Sequence, residues 1–202
     1  MTEAVSRPEL VLGSASPYRR QMLAAAGLAF RVEPAAIDEP AFHRGLANKT
    51  PSAVAEMLAR AKAEEVSARF PDALTVGADQ VLALGEELLH KPGDIATARA
   101  HLLRLRGKTH ELHSGVAVAR GGRAEWSCVA RARLTMHAFS EAFLESYLSR
   151  FGGKVCGIVG AYEIEGPGIQ LFERIEGDHF TIVGLPLLPL LAQLRSYGVV
   201  GT

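Results

Sequence analysis

Cysteine is scarce in this chain: 202 residues hold only Cys128 and Cys156. Two are too few for a disulfide framework and fit a reducing compartment. Neither has another cysteine or a histidine at metal-ligand spacing, so both read as small buried hydrophobes. Net charge is lacking as well, because 22 Lys and Arg offset 22 Asp and Glu. That balance gives no reason to expect a nucleic-acid or membrane partner. Long apolar runs are missing; the longest, residues 182–194, is too short for a bilayer and carries Pro186 and Pro189. No signal peptide opens the chain, and residues 1–8 are polar and expected to fray. Repeats and low-complexity linkers are absent too. The expectation is a cytoplasmic protein with a flexible tail over residues 1–8 and a single domain over residues 9–202.

What is present is an ordinary soluble composition, 48% hydrophobic and 22% charged. Helical and strand patterns alternate. Strands are expected at Leu10–Leu12, near residues 29–32, over Leu74–Leu84 and near residues 169–175. Residues 109–119 and 123–137 read as a long hairpin turning at Gly121-Gly122. Helices are expected over residues 17–26, ended by Gly27, and from Thr50-Pro51 to about Arg69. The first should bury Met22, Leu23 and Ala26, and the second Val54, Met57, Leu58 and Ala61. Asp94 and Ser140 cap two more, reaching about Arg106 and Arg150, the latter followed by Gly152-Gly153. A last helix should span residues 186–197. The fold class is therefore α/β with a mixed sheet flanked by helices.

The stretch Leu10-Val-Leu-Gly-Ser14-Ala-Ser16-Pro17-Tyr18-Arg19-Arg20 organises the rest. Ser16 is a helix N-cap and Pro17 the first helical residue. Arg19 and Arg20 then fall in the first turn, where the helix dipole disfavours cations by ~0.3–1 kcal/mol each. Backbone N–H groups, two hydroxyls and two guanidiniums gathered there suit an anion, most naturally phosphate. Because Arg19 opposes its own helix dipole, its removal is expected to leave folding almost intact.

Asp79 stands within Leu74-Thr-Val-Gly-Ala-Asp-Gln-Val-Leu-Ala-Leu84. A carboxylate inside such a run is costly to bury unless a cation, a metal or hydrogen-bond donors pair with it. Asp38-Glu39 adds acids on a loop, while Lys62 and Lys91 add cations. With the Arg pair these are the parts for metal-assisted phosphoryl chemistry. Gly107-Lys108-Thr109 imitates the end of a P-loop, but Leu102 stands where that motif needs glycine, and a strand follows the lysine. His110 and His113 fall on opposite faces of one strand and read as structural or solvated, not as a metal pair.

The segments Ser14-Ala-Ser-Pro-Tyr-Arg-Arg20-Gln-Met-Leu23, Asp38-Glu39, Lys62-Ala63 and Gly77-Ala-Asp79-Gln80 resemble the Maf family of nucleotide pyrophosphatases. So do His90-Lys91-Pro92, Gly107-Lys-Thr-His110, Gly160-Ala-Tyr162, Phe172-Glu-Arg-Ile-Glu-Gly177 and Val183-Gly-Leu-Pro186. These matches run collinearly from about Leu10 to Leu194. The resemblance implies a two-lobed, Maf-like (ITPase-like) α/β fold with a long mixed sheet and a cleft between lobes. It implies hydrolysis of nucleoside triphosphates to monophosphate and pyrophosphate with a divalent ion (Mg, Mn or Co), usually by a homodimer. It makes Asp79 the proton acceptor or metal-site acid and Glu39 its acidic partner. Ser14, Arg19, Lys62 and Lys91 match phosphate-binding positions; Arg20 lies one residue beyond the usual pair.

Three positions point to the substrate. Tyr18 replaces an arginine of the branch that hydrolyses dTTP and UTP, Gln80 follows Asp79, and Glu165 stands where that branch carries glutamine. All three resemble the branch that hydrolyses 7-methyl-GTP. The chemistry agrees: 7-methylguanine is cationic, an aromatic face attracts a cation, and one carboxylate can accept from both N1–H and the 2-amino group. The expected function is 7-methyl-GTP pyrophosphatase. The alternatives are a dTTP/UTP pyrophosphatase and a nucleotide-sensing regulator of septum formation.

Overall fold

The apolar run Leu10–Leu12 forms strand β1 in the computed structural model, which describes residues 8–39, 41–42, 46 and 48–201. The expected frayed tail lies outside the described residues apart from Pro8. Helix α1 (Pro17–Ala25) follows, its N-cap Ser16 accepting from Arg19 N as the sequence implies. Met22 and Leu23 are buried, but Ala26 is exposed because the helix has already ended there. After β2 (Arg31–Val32) comes α2 (Pro51–Arg69), capped by Thr50. β3 (Leu74–Leu84) turns into the short β4 (Glu87–Leu89), and α3 (Ile95–Leu105) starts on Asp94. β5 (Thr109–Arg120) and β6 (Arg123–Met136) form the expected hairpin, with Gly121 and Gly122 at φ 57° and 82° in its turn.

α4 (Glu141–Val155) runs straight through Gly152-Gly153, contrary to the expected stop near Arg150. A Cβ on Gly152 would meet Ile95 of α3 at 3.4 Å, an ordinary van der Waals contact, where α4 packs against α3. Two 3₁₀ turns, Val159–Ala161 and Pro167–Leu171, precede β7 (Phe172–Glu176), which therefore starts later than expected. α5 (His179–Val183) and α6 (Leu187–Ser196) complete the chain.

Among the described residues the sheet has seven strands in the order β2-β1-β3-β5-β6-β7, with β4 against the end of β3. β1 is parallel to β2 and β3, while β3, β5, β6 and β7 are mutually antiparallel neighbours. It is the expected mixed sheet. α2 lies directly on β3 and β5: a Cβ on Gly77 would come 2.3 Å from Ala59 O, and one on Gly115 2.4 Å from Ala55 O. The ridge of Ala55, Ala59 and Ala63 makes that approach possible. It also rotates the expected buried face, leaving Met57 exposed and Ala61 half-buried while Lys62 faces the sheet.

Along the other face of β3, Val76 and Ala78 join an apolar cluster with Leu10, Leu12, Leu23, Leu185 and Leu190. Leu82 joins a second with Leu102, Leu112, Leu134, Leu144 and Tyr162. Gln80 falls between them and belongs to neither. The cleft opens at this gap.

Candidate active site

The cleft encloses about 850 Å³ and gathers residues from α1, the middle of β3, the segment after β4, residues 157–165 and α5. That volume suits a ligand of nucleotide size. Ser14, Tyr18, Arg19, Glu39, Lys62, Asp79, Gln80, Lys91 and Glu165 all line it. Arg20 does not: it is exposed on the outer side of α1, so the expected Arg pair contributes one guanidinium to the cleft. At about 100° per residue, the helix turns Arg20 past the face that carries Tyr18 and Arg19.

Asp79 is buried at mid-strand, and its Oδ1 accepts from Lys62 Nζ at 2.7 Å. Lys62 also lies 2.6 Å from Glu39 Oε1, so one buried ammonium joins two carboxylates. Of the partners open to Asp79 from the sequence, the chain itself supplies a cation. Burial tends to raise the Glu39 pKa, but the Lys62 hydrogen bond and the charges of Lys62, Lys91 and Arg19 outweigh it and hold it below the ordinary value. Lys91 is exposed at the cleft edge. Asp38 lies apart and instead caps its own loop, accepting from Ala41 N at 3.0 Å.

Arg19 is more deeply integrated than its helix position suggests. Its Nη1 donates to Ala78 O at 2.8 Å and Ser14 Oγ at 3.1 Å, and its Nε donates to Gly184 O at 2.9 Å. Burial draws its pKa down, opposed by Asp79 and Glu39. These contacts tie α1 to β3 and α5, so the unfavourable dipole is offset by tertiary hydrogen bonds. They occupy Nε and Nη1 and leave both Nη2 protons for a ligand. Ser14 accepts from Ser16 N at 3.3 Å and from Arg19, holding the turn into the α1 N-terminus.

At the other end of the cleft Tyr18 donates from its hydroxyl to Glu163 Oε1 at 2.7 Å. Its pKa is pushed up to about 12, first by burial and then by Glu163 and Glu165. Gln80 Nε2 donates to Ser114 Oγ at 2.9 Å and to the carbonyls of Thr181 and Ile182 at 3.1 Å each, fastening α5 to the sheet. Glu165 is exposed and 3.0 Å from His179 Nε2. Sequence reasoning missed Glu163, which lies one residue beyond the Gly160-Ala161-Tyr162 segment. It also missed Lys154, whose Nζ is 2.6 Å from Glu163 Oε2. No periodic signal could have joined residues on α1, α4 and a glycine-rich loop.

His110 and His113 are structural, as the sequence implies. His110 is buried with Nε2 2.8 Å from the Tyr162 hydroxyl, and His113 pairs with Ser52 and Glu111. Lys108 is exposed and β5 starts at the next residue, so no P-loop forms. No group of three His, Cys, Asp or Glu side chains able to hold a metal ion occurs among the described residues. Asp79 and Glu39 supply two hard oxygen donors, a set that fits a Mg-type ion shared with substrate phosphates and not one held by protein alone.

The chain matches the family described as Maf-like protein over residues 9–197. A 7-methyl-GTP pyrophosphatase of Rhizobium johnstonii is 51% identical over 195 residues, covering 96% of this chain and 98% of that protein. A nucleoside triphosphate pyrophosphatase of Nitrobacter winogradskyi is 54% identical over 187 residues, 93% of each chain. A solved dITP/XTP pyrophosphatase of Mycobacterium abscessus aligns over 95% of each chain, with 13% identity and a TM-score of 0.46.

Proposed function

The chain belongs to the Maf-like protein family, and from that premise we propose that it hydrolyses 7-methyl-GTP to the monophosphate and pyrophosphate. The observation that carries the reading is the buried Lys62 bridge between Asp79 and Glu39, set beside Arg19 at a helix N-terminus in a nucleotide-sized cleft. Relatives named for this activity span nearly the full chain, which supports the same assignment.

Triphosphate oxygens would meet the Nη2 protons of Arg19, the remaining proton of Lys62, the Lys91 ammonium and the α1 N-terminus. Water attacks the α-phosphorus, the bond to the bridging oxygen breaks, and pyrophosphate departs. Asp79 orients that water and takes its proton, using the oxygen that Lys62 does not occupy. Lys62 holds the carboxylate in place through its 2.7 Å hydrogen bond. A divalent ion (Mg, Mn or Co) would be held by Asp79 and Glu39 together with substrate phosphate, and when bound it supplies neutralisation of developing phosphate charge. At the base end, Tyr18 offers an aromatic face to the cationic ring and Glu165 a carboxylate to its N–H donors.

Two unpaired cysteines and the absence, among described residues, of any helix long and apolar enough to cross a membrane support a cytoplasmic location. A homodimer is part of the proposal. It is supported by the outer edge of β6, which among the described residues pairs with β7 only over Arg133–Met136 and leaves a length of strand open for a second copy.

The test is a panel of 7-methyl-GTP, GTP, UTP and dTTP, each with Mg²⁺, Mn²⁺ or Co²⁺ and with chelator, read as pyrophosphate release. The highest kcat/KM is expected for 7-methyl-GTP, with loss of turnover in chelator. Preference for UTP and dTTP would overturn the substrate assignment, and no release from any nucleotide would overturn the enzymatic one.

A further inference from the structure

We infer that Glu163 is a positioning residue for base recognition, fixing the Tyr18 ring as one wall of the cleft. The inference rests on the proposed nucleotide site and deepens it at one residue. Tyr18 belongs to α1, whose Met22 and Leu23 pack in one apolar cluster; Glu163 follows Tyr162, which packs in the other. Their 2.7 Å hydrogen bond therefore spans the cleft.

Several observations make Glu163 the holder of the ring and not itself a reader of the base. Both of its oxygens are occupied: Oε1 by the Tyr18 hydroxyl and Oε2 by Lys154 Nζ at 2.6 Å. Lys154 also offsets its charge, so little of its field remains for a cationic ring. Its side chain is 14% exposed, against 41% for Glu165, which meets the cleft with one oxygen toward His179. The Glu163 backbone is clamped as well. A Cβ on Gly168 would lie 2.6 Å from Glu163 O and 2.7 Å from Glu163 N, so only glycine lets the following turn lie against it.

A tyrosine has two side-chain torsions. Anchoring its hydroxyl removes the freedom of the ring to swing, so less ordering remains to be done when the ligand binds. Burial and the neighbouring carboxylates keep the Tyr18 hydroxyl protonated at neutral pH, and the Lys154 and Tyr18 hydrogen bonds keep Glu163 ionised. The anchor is thus in place at neutral pH.

The experiment is a double-mutant cycle on Tyr18→Phe and Glu163→Ala, with Glu163→Gln and Lys154→Ala alongside, reading kcat and KM for 7-methyl-GTP and GTP. Tyr18→Phe keeps the ring and deletes only the anchored hydroxyl. Each single change is expected to lower the preference for 7-methyl-GTP over GTP by roughly three- to tenfold, chiefly through KM. The double variant should fall no further than either single one. Glu163→Gln, still an acceptor, should retain most of the preference, and Lys154→Ala should stay within about twofold of the parent because Tyr18–Glu163 survives. Additive losses, equal losses on both nucleotides, or a Lys154→Ala loss as large as that of Glu163→Ala would overturn the inference. If the parent shows no preference for 7-methyl-GTP, the substrate reading fails. The coupling is then read on whichever nucleotide turns over fastest, or by calorimetric binding of the same nucleotides if none does.

Discussion

Lys62 on α2 donates to Asp79 on β3 across 2.7 Å, and the alanine-on-glycine contact between helix and strand brings them together. The lysine is a structural counter-ion and, in the proposed mechanism, a phosphate ligand as well. Removing it should therefore affect both stability and turnover. Lys62→Met is expected to destabilise the protein by ~3–5 kcal/mol at neutral pH, since a buried carboxylate loses its partner. Denaturant midpoints check this. The loss should shrink at acidic pH as Glu39, held below its ordinary value by Lys62, takes up a proton. An unchanged midpoint at neutral pH would mean that the pair contributes no net stability.

Asp79→Asn keeps size and an acceptor for Lys62, and Glu39 still balances the ammonium. Turnover should fall by ~10²–10⁴ while nucleotide binding persists, because the proton acceptor is lost while Glu39, Arg19, Lys62 and Lys91 stay in place. Single-turnover rates and calorimetric affinities separate the two effects. Parent-like hydrolysis by this variant would remove Asp79 from the chemistry.

Arg19→Ala reverses the expectation drawn from the helix dipole. Deleting the guanidinium takes a donor from the Ala78 and Gly184 carbonyls and one of two donors from Ser14 Oγ. A loss of ~2–4 kcal/mol without any ligand is expected, together with weaker triphosphate binding. Thermal melts of the nucleotide-free protein decide between the dipole argument and the hydrogen-bond argument.

His110 gives the fold a pH dependence. Burial pushes its pKa down to about 4, and its Nδ1 has no hydrogen-bond partner among the described residues, so protonation would bury an unsatisfied N–H. The unfolded chain takes up the proton near the ordinary value of about 6.5, before the folded chain does. Stability should therefore be complete above that value and fall with pH down to about 4, by at most ~3 kcal/mol. His113, lowered by burial against the pull of Glu111, acts in the same direction. Urea titrations between pH 7.5 and 5 should show a shallower slope in His110→Gln, which still offers Tyr162 a polar partner.

Glu165→Gln tests base reading. It removes the charge that the proposed function sets against a cationic ring and replaces one acceptor with a donor. Hydrogen bonds to charged groups are worth ~1.5–3 kcal/mol, or ~10- to 200-fold, and the exposure of Glu165 points to the lower end. The kcat/KM for 7-methyl-GTP should fall more than those for UTP and dTTP. Equal losses would assign Glu165 to the fold or the phosphates.

Much of this protein is decided locally and can be read from the chain. Ser16, Thr50, Asp94 and Ser140 start helices where the sequence places them, because a cap needs only a side chain and the backbone three residues on. The hairpin follows from two long strand patterns and two glycines, and the mixed sheet from the alternation of elements. Nine of the ten anticipated site residues line one cleft, since a collinear set of motifs already implies a common site. Tertiary packing alone decided the rest. Which face of α2 is buried depended on glycines in two distant strands, and that choice turned Lys62 onto Asp79. Whether Arg19 is a loose anion ligand or a buried tie depended on two carbonyls 59 and 165 residues away. Glu163 and Lys154 gained their roles only when α1, α4 and a glycine-rich loop met. Periodicity and capping report energies between near neighbours in sequence, whereas these contacts join groups that only the folded chain makes neighbours.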